Sequence, residues 1–109
     1  MKGITPLQFA LLTSLADKPS HGYALVSAIE PVLGRRPGVA TVYAALEQLV
    51  NSGRIVQSND EVVDGRLRRH FAITQAGESV LAAEANEMAR KAQHALYNLR
   101  RLSPVVVAT

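Results

Sequence analysis

Cysteine is absent from the sequence, which excludes disulfides, thiolate metal sites and cysteine nucleophiles. Tryptophan is absent as well, and aromatic residues make up only 5% of the chain. A core must therefore be built from Leu, Val, Ile and Ala. The three histidines, His21, His70 and His94, are scattered, so no zinc site is expected. No apolar run approaches the roughly 20 residues that a membrane-spanning helix needs; the longest late run is Val105-Val106-Val107-Ala108. No signal-peptide pattern is visible. These absences lead to an expectation of a cytoplasmic protein with no cofactor, no metal and no membrane partner. No carboxylate pair, Ser/His/Asp set or phosphate-binding loop stands out either, so an enzyme is not expected.

The residues that are present suggest a single folded domain. The chain has 109 residues, 48% of them hydrophobic and 19% charged, a balance that argues against disorder. A formal charge of +3 permits nucleic-acid binding without establishing it. Nine of the twelve basic residues are arginines. Five of them fall in two groups, Arg35 with Arg36, and Arg66 with Arg68 and Arg69. The forked guanidinium suits phosphate and guanine better than a lysine ammonium does.

Local patterns divide the chain into elements. Thr5-Pro6-Leu7-Gln8 reads as a helix start with a capping box and a proline in the first turn. Leu7, Leu11, Leu12 and Leu15 follow, and Asp17-Lys18-Pro19 ends this first helix. Ser20 is the candidate cap of a second helix running from His21 to about Leu33, with Pro31 ending it early or kinking it. The break Gly34-Arg35-Arg36-Pro37-Gly38 precedes a third helix from about Val39 to Ser52. There Val42, Ala45, Leu46 and Leu49 make one apolar stripe, while Thr41, Tyr43, Ala44, Glu47, Gln48 and Asn51 lie off it. Gly53 stands where a C-terminal cap is expected.

After Gly53 the period changes. Arg54 to Gln57 reads as a short strand, and Arg66 to Ile73 as a second one, with Leu67, Phe71 and Ile73 on one face and Arg66, Arg68 and His70 on the other. Arg69 interrupts that alternation. Asp64-Gly65 is a hairpin turn signal, and Ser58 to Asp64 reads as an extended, polar hairpin tip. Thr74 caps a last helix reaching about Leu102, before Pro104 and a frayed tail. Leu81, Ala85, Met88, Ala92, Ala95, Leu99 and Leu102 recur at alternating spacings of four and three, a coiled-coil seam. A helix of this length exceeds what so small a domain covers, so the seam points to a homodimer.

The expected fold is mainly α with a small β-hairpin, namely a winged helix-turn-helix over residues 1–74, a dimerisation helix over 75–102 and a flexible tail over 103–109. The third helix would enter the major groove of double-stranded DNA, and the hairpin would be the wing. The sequence resembles the PadR family of transcriptional regulators. The resemblance rests on His21-Gly22-Tyr23, on Thr41 to Leu49, on Ser52-Gly53-Arg54-Ile55, and on Gly65 to Gly77, in that order. It covers residues 5–102 and implies a repressor-like homodimer with the last and first helices at the interface. Two-fold symmetry then leads to an inverted-repeat operator. Leu7, Phe9 and Leu11 offer the first helix's apolar surface, with Leu7 and Leu11 taken as interface residues. A single helix after the wing resembles the short-tailed branch of the family. Some members of that branch bind flat hydrophobic drugs between the long helices, stacked on an aromatic residue. Met88 stands at that position here, so a flat-drug sandwich is not expected. Gly38, Val39 and Ala40 replace a common Ser-Pro-Gly entry to the third helix, Ala44 a common Pro, and His70 a common Tyr.

The residues expected at DNA are Arg35, Arg36, Thr41, Tyr43, Ala44, Gln48, Arg66, Arg68 and Arg69. Five of them have an alternative reading. Tyr43 can pack on its own helix, Thr41 can order the first turn, and the wing arginines can be a solvated strand end or pair with Asp60, Glu61 or Asp64. His21 reads as a turn or capping residue. For the small residues of the seam two readings stand, close contact of two helices or an apolar effector pocket lined by Ala85, Met88 and Ala92. The competing function is a winged-helix module that binds protein and not DNA.

Overall fold

The computed structural model of the chain describes residues 3–58 and 60–102. The expected stop at Pro104 and the tail 103–109 lie outside the described residues. Helix α1 (Pro6–Asp17) begins as its sequence dictates. The Gln8 amide donates to the Thr5 hydroxyl, and the Thr5 amide donates to Gln8 Oε1, both at 3.1 Å. This reciprocal pair satisfies donors that a helix start otherwise leaves open. Ala10, Leu11, Leu12 and Leu15 form its buried face.

The second helix departs from expectation at its start and breaks near Pro31, as that residue suggested. Ser20 does not cap it; Ser20 and His21 form a short strand, β1 (Ser20–His21), and the cap is His21, whose Nδ1 accepts from the Ala24 amide at 3.2 Å. The expected span 21–33 is also two helices, α2 (Gly22–Ala28) and α3 (Glu30–Leu33), broken at Ile29. Pro31 explains the break. It has no N–H to donate and its ring clashes one turn back, but it is tolerated in the first turn of α3.

Helix α4 (Val39–Asn51) buries Val42, Ala45, Leu46 and Leu49, the stripe read from the sequence. Strand β2 (Ile55–Gln57) follows, and then a hairpin of β3 (Glu61–Val63) and β4 (Arg66–Arg68). Its turn is Asp64-Gly65, with φ of 51° and 76°, the two positive values a two-residue hairpin turn requires. The segment read as an extended, polar tip supplies a strand, β3. The strand expected to run unbroken from Arg66 to Ile73 also ends at Arg68 and resumes as β5 (His70–Ile73). Because the break shifts the alternation, Leu67 does not share a face with Phe71. Leu67 is 68% exposed, and Phe71 is 4% exposed.

Strand β5 is central in a three-stranded antiparallel sheet of order β1-β5-β2. It leads directly into α5 (Gln75–Arg100), capped by Thr74, whose hydroxyl accepts from the Gly77 amide and donates to the Gly53 carbonyl at 2.7 Å. The start of α5 presses so closely on the Arg54 carbonyl that a β-carbon at Gly77 would run into it. Leu11, Leu12, Leu15, Leu25, Ile29, Leu46, Leu49 and Ile55 fill the core, with Leu7, Tyr43 and Leu81 packed at its edge.

Leu11 is wholly enclosed within this one chain, which removes it from the expected dimer surface. Helix α1 turns Leu11 inward because Leu11, Leu12 and Leu15 share the side facing α4 and β5. Beyond Met88, which still borders Phe9 and Leu33, α5 runs away from the core, and the molecule is 61 Å long against 28 and 20 Å in the other directions. No described helix is long and apolar enough to cross a membrane.

Gly77→Ala should cost more than about 2 kcal/mol, because the obstacle is backbone and cannot rotate aside. Gly38→Ser should gain a few tenths of a kcal/mol, since Gly38 caps α4 with no side-chain bond and nothing lies within 4 Å of a β-carbon there. Denaturant unfolding of the two variants beside the parent checks both signs.

Candidate nucleic-acid interface

With one side of α4 in the core, the helical period leaves Val39, Ala40, Thr41, Ala44, Glu47, Gln48 and Asn51 exposed in a continuous face. Two edges hold this face in place. On one edge Gln48 Oε1 accepts from Gln8 Nε2 of α1 at 3.4 Å. On the other, Tyr43 is partly buried with its ring over Gly22; a β-carbon on Gly22 would stand 2.7 Å from the ring and from its hydroxyl. Tyr43 thus packs against the start of α2 and not on its own helix.

The same edge of α4 borders the wing. Tyr43, Ala44, Glu47 and Asn51 share a cleft of about 360 Å³ with Gln57 of β2 and with Arg69, the residue between β4 and β5. Glu47, Asn51 and Gln57 were not singled out from the sequence as site residues. The signal for the first two was their position off the apolar stripe, and Gln57 carried none. Arg66 and Arg69 are exposed. Arg68 is half-buried, its guanidinium carbon 4.7 Å from the ring centre of Tyr23. Arg35 and Arg36 lie exposed in the break between α3 and α4, where Arg36 Nη1 stands 3.9 Å from Glu30 Oε1. An exposed pair at that distance contributes little to stability and leaves the charge at the surface.

The sequence pattern of the transcriptional regulator PadR-like family matches residues 11–83. The chain belongs to this family. A Streptomyces fradiae protein described as an uncharacterized 37.1 kDa protein in transposon TN4556 is 43% identical over 83 residues. That match covers 76% of this chain but 23% of the relative, so the chain spans about a quarter of that protein's length. A PadR family transcription regulator from Clostridium difficile superposes with a TM-score of 0.68 at 18% identity, covering 85% of this chain and 99% of that one. Bacillus subtilis PadR in complex with operator DNA superposes with a TM-score of 0.63 at 21% identity, covering 72% of this chain and 46% of that one. At these identities the two structures establish the shared fold, a winged helix with a long C-terminal helix. The family is one of regulators, not of enzymes.

The seam of this PadR-like chain is packed only at its start. Leu81 packs at the core edge, while Ala85, Met88, Ala92, Ala95, Leu99 and Leu102 are all exposed. Of the residues expected to line an effector pocket, Met88 borders a cleft of about 270 Å³ together with Ile4, Phe9, Val32 and Leu33; Ala85 and Ala92 stand on open surface. Among the described residues, no group of three His, Asp or Glu side chains is placed to hold a metal ion. On the polar side of α5, Glu87 accepts two hydrogen bonds from Arg90, at 3.0 and 2.7 Å, and these hold its carboxyl below the usual glutamate range.

Gly22→Ala should swing the Tyr43 ring out of its seat, because a ring at the end of a side chain can move where a carbonyl cannot. The ring protons should shift in the proton NMR spectrum, and the loss of stability should be smaller than for Gly77→Ala. A Tyr43 ring spectrum identical to the parent's would show that the contact with α2 is not maintained in solution.

Proposed function

We propose that this chain is a sequence-specific DNA-binding regulator of transcription, a repressor that acts in the cytoplasm as a homodimer on an inverted repeat. The observation that carries this reading is the cleft shared by the outward face of α4 and Arg69, because it sets a recognition helix and the base of a basic wing side by side. The operator DNA bound to Bacillus subtilis PadR, a protein of the same fold, supports it. In this reading residues 1–74 read DNA. Thr41, Ala44 and Gln48 approach base edges with Tyr43 behind them, and Arg35, Arg36, Arg66, Arg68 and Arg69 meet phosphates.

Helix α5, about 39 Å long at 1.5 Å per residue, joins two copies through Ala85, Met88, Ala92, Ala95, Leu99 and Leu102, with Leu7 and Leu81 at its margin. Two recognition helices related by two-fold symmetry then fall in successive major grooves, about 10 base pairs apart. An apolar effector between the long helices at Ala85, Met88 and Ala92 belongs to the same reading. Met88→Trp should abolish its effect and leave DNA binding intact.

Selection from a pool of random duplexes, followed by footprinting, should return an inverted repeat with that spacing, and a reporter behind the selected site should fall silent when the protein is present. Affinity should drop steeply with salt. No enrichment of any duplex, together with salt-independent capture of a protein partner, would favour the protein-interaction module instead. Sedimentation should give a dimer at micromolar concentration. Leu99→Asp should part the copies, because a carboxylate facing its symmetry mate in an apolar seam costs several kcal/mol.

A further inference from the structure

The run His21-Gly22-Tyr23 stands out in the sequence, and DNA recognition by α4 does not by itself account for it. In the structure this run continues the β1–β5 ladder beyond the end of the strand. Ser20 pairs with Phe71, and His21 with His70. The Gly22 amide then donates to the Arg69 carbonyl at 3.3 Å, and Tyr23 takes the Arg68 guanidinium over its ring at 4.7 Å. Four consecutive residues of one segment thus meet four of the other in antiparallel order, two as strand pairs, one by a backbone hydrogen bond and the last by a side-chain contact with Arg68 at the end of β4. The start of α2 is thereby fastened to the base of the wing.

Arg68 is held unusually for a wing arginine. Its Nε is enclosed and has no hydrogen-bond partner among the described residues. An enclosed donor without an acceptor is unfavourable, so the side chain is not held there by hydrogen bonding at Nε. What lies against it is the face of Tyr23, which attracts a cation through the ring quadrupole. Tyr23 itself is 53% exposed, and packing needs do not place an aromatic ring there. A long arginine side chain that is free in solution loses rotamer entropy on meeting a phosphate; one already laid on a ring loses less.

We propose that Tyr23 is a positioning residue for the wing, holding the Arg68 guanidinium on its ring so that Arg68 meets the DNA backbone already ordered. The proposal rests on the DNA-binding reading of the wing. Tyr23 contacts no nucleic acid in it and acts only through Arg68.

A double-substitution cycle tests this on a duplex recovered by the selection above, with the full chain and with each variant's thermal unfolding measured beside the parent's. Arg68→Ala should weaken binding about tenfold at low salt and reduce the slope of log affinity against log salt by about one unit. Tyr23→Leu should weaken binding by about two- to five-fold in the parent and have no further effect in the Arg68→Ala background. Tyr23→Phe, which keeps the ring, should bind as the parent does.

The proposal falls if Tyr23→Leu weakens binding by the same factor in both backgrounds, since Tyr23 would then act independently of Arg68. It falls equally if Tyr23→Phe loses as much as Tyr23→Leu, since the hydroxyl would then be the contact. If Arg68→Ala alters binding and the Tyr23 variants do not, the positioning role is wrong while the wing remains a phosphate contact. If Arg68→Ala changes neither affinity nor salt slope, Arg68 is not a phosphate contact, and the positioning role fails with that part of the DNA reading.

Discussion

Strand β5 is four residues long, and the placing of the whole interface depends on it. One edge pairs with β1, which runs straight into α2, and the other pairs with β2, which follows α4. Its own end becomes the cap of α5. A two-stranded ribbon of this length would be marginal in water. Here a third strand and a buried side chain, Phe71, tie it to a core of leucines and isoleucines. The core supplies the bulk of the stabilising free energy because it removes apolar surface from water. The strand supplies geometry, since antiparallel register admits no sliding once one face is buried. The start of α2, the end of α4 and the start of α5 are all fixed by one backbone ladder.

The same dependence explains why α5 is two different things along its length. Its first turns are locked to Arg54 and to the core edge by Gly77 and Leu81. Met88 still borders Phe9 and Leu33, but from Ala92 onward the apolar stripe is exposed among the described residues. Long helices in water gain most of their stability from packing an amphipathic face and little from propensity. A stripe of small and long side chains alternating by four and three suits a like helix, because Ala permits close approach where Met and Leu fill the gaps between. The exposure of Met88, Leu99 and Leu102 in the single chain is what the homodimer reading requires.

Features that depend on neighbouring residues were legible in the sequence. The capping box at Thr5 and Gln8, the stripe of α4, the turn at Asp64-Gly65 and the Thr74 cap all arise from interactions across a few residues. Features decided by distant partners were not. The hydrophobic residues of α1 lie nearly all round it, so sequence alone does not say whether Leu7 or Leu11 faces inward, and only packing against α4 and β5 decides it. The strand β3 was hidden because Val62 and Val63 sit among polar residues. The break at Arg69 was visible as a failed alternation, but its meaning, a change of sheet, was not. Ser20 is the better capping residue by propensity, yet the ladder with Phe71 takes it into a strand and leaves the cap to His21. The stacking of Arg68 on Tyr23 joins positions 45 residues apart and has no local signature at all.

The tetrapeptide from Ser20 to Tyr23 shows how several requirements can be met by one short segment. Ser20 pairs through its backbone with Phe71 while its hydroxyl donates to the Lys18 carbonyl at 3.3 Å. His21 must offer an acceptor to the Ala24 amide while its own backbone pairs with His70. Gly22 must have no side chain, because the Tyr43 ring occupies that space. Tyr23 must be a flat ring, because a guanidinium lies on it. Through these contacts α4 and the wing are each referred to α2, and so to one another. The gap between recognition helix and wing is therefore set by the fold itself. A surface fixed in this way loses little freedom when it meets a rigid duplex. If it is a DNA surface, as proposed, it would also tolerate little change in groove geometry, so that DNA shape as well as base edges would enter the choice of site.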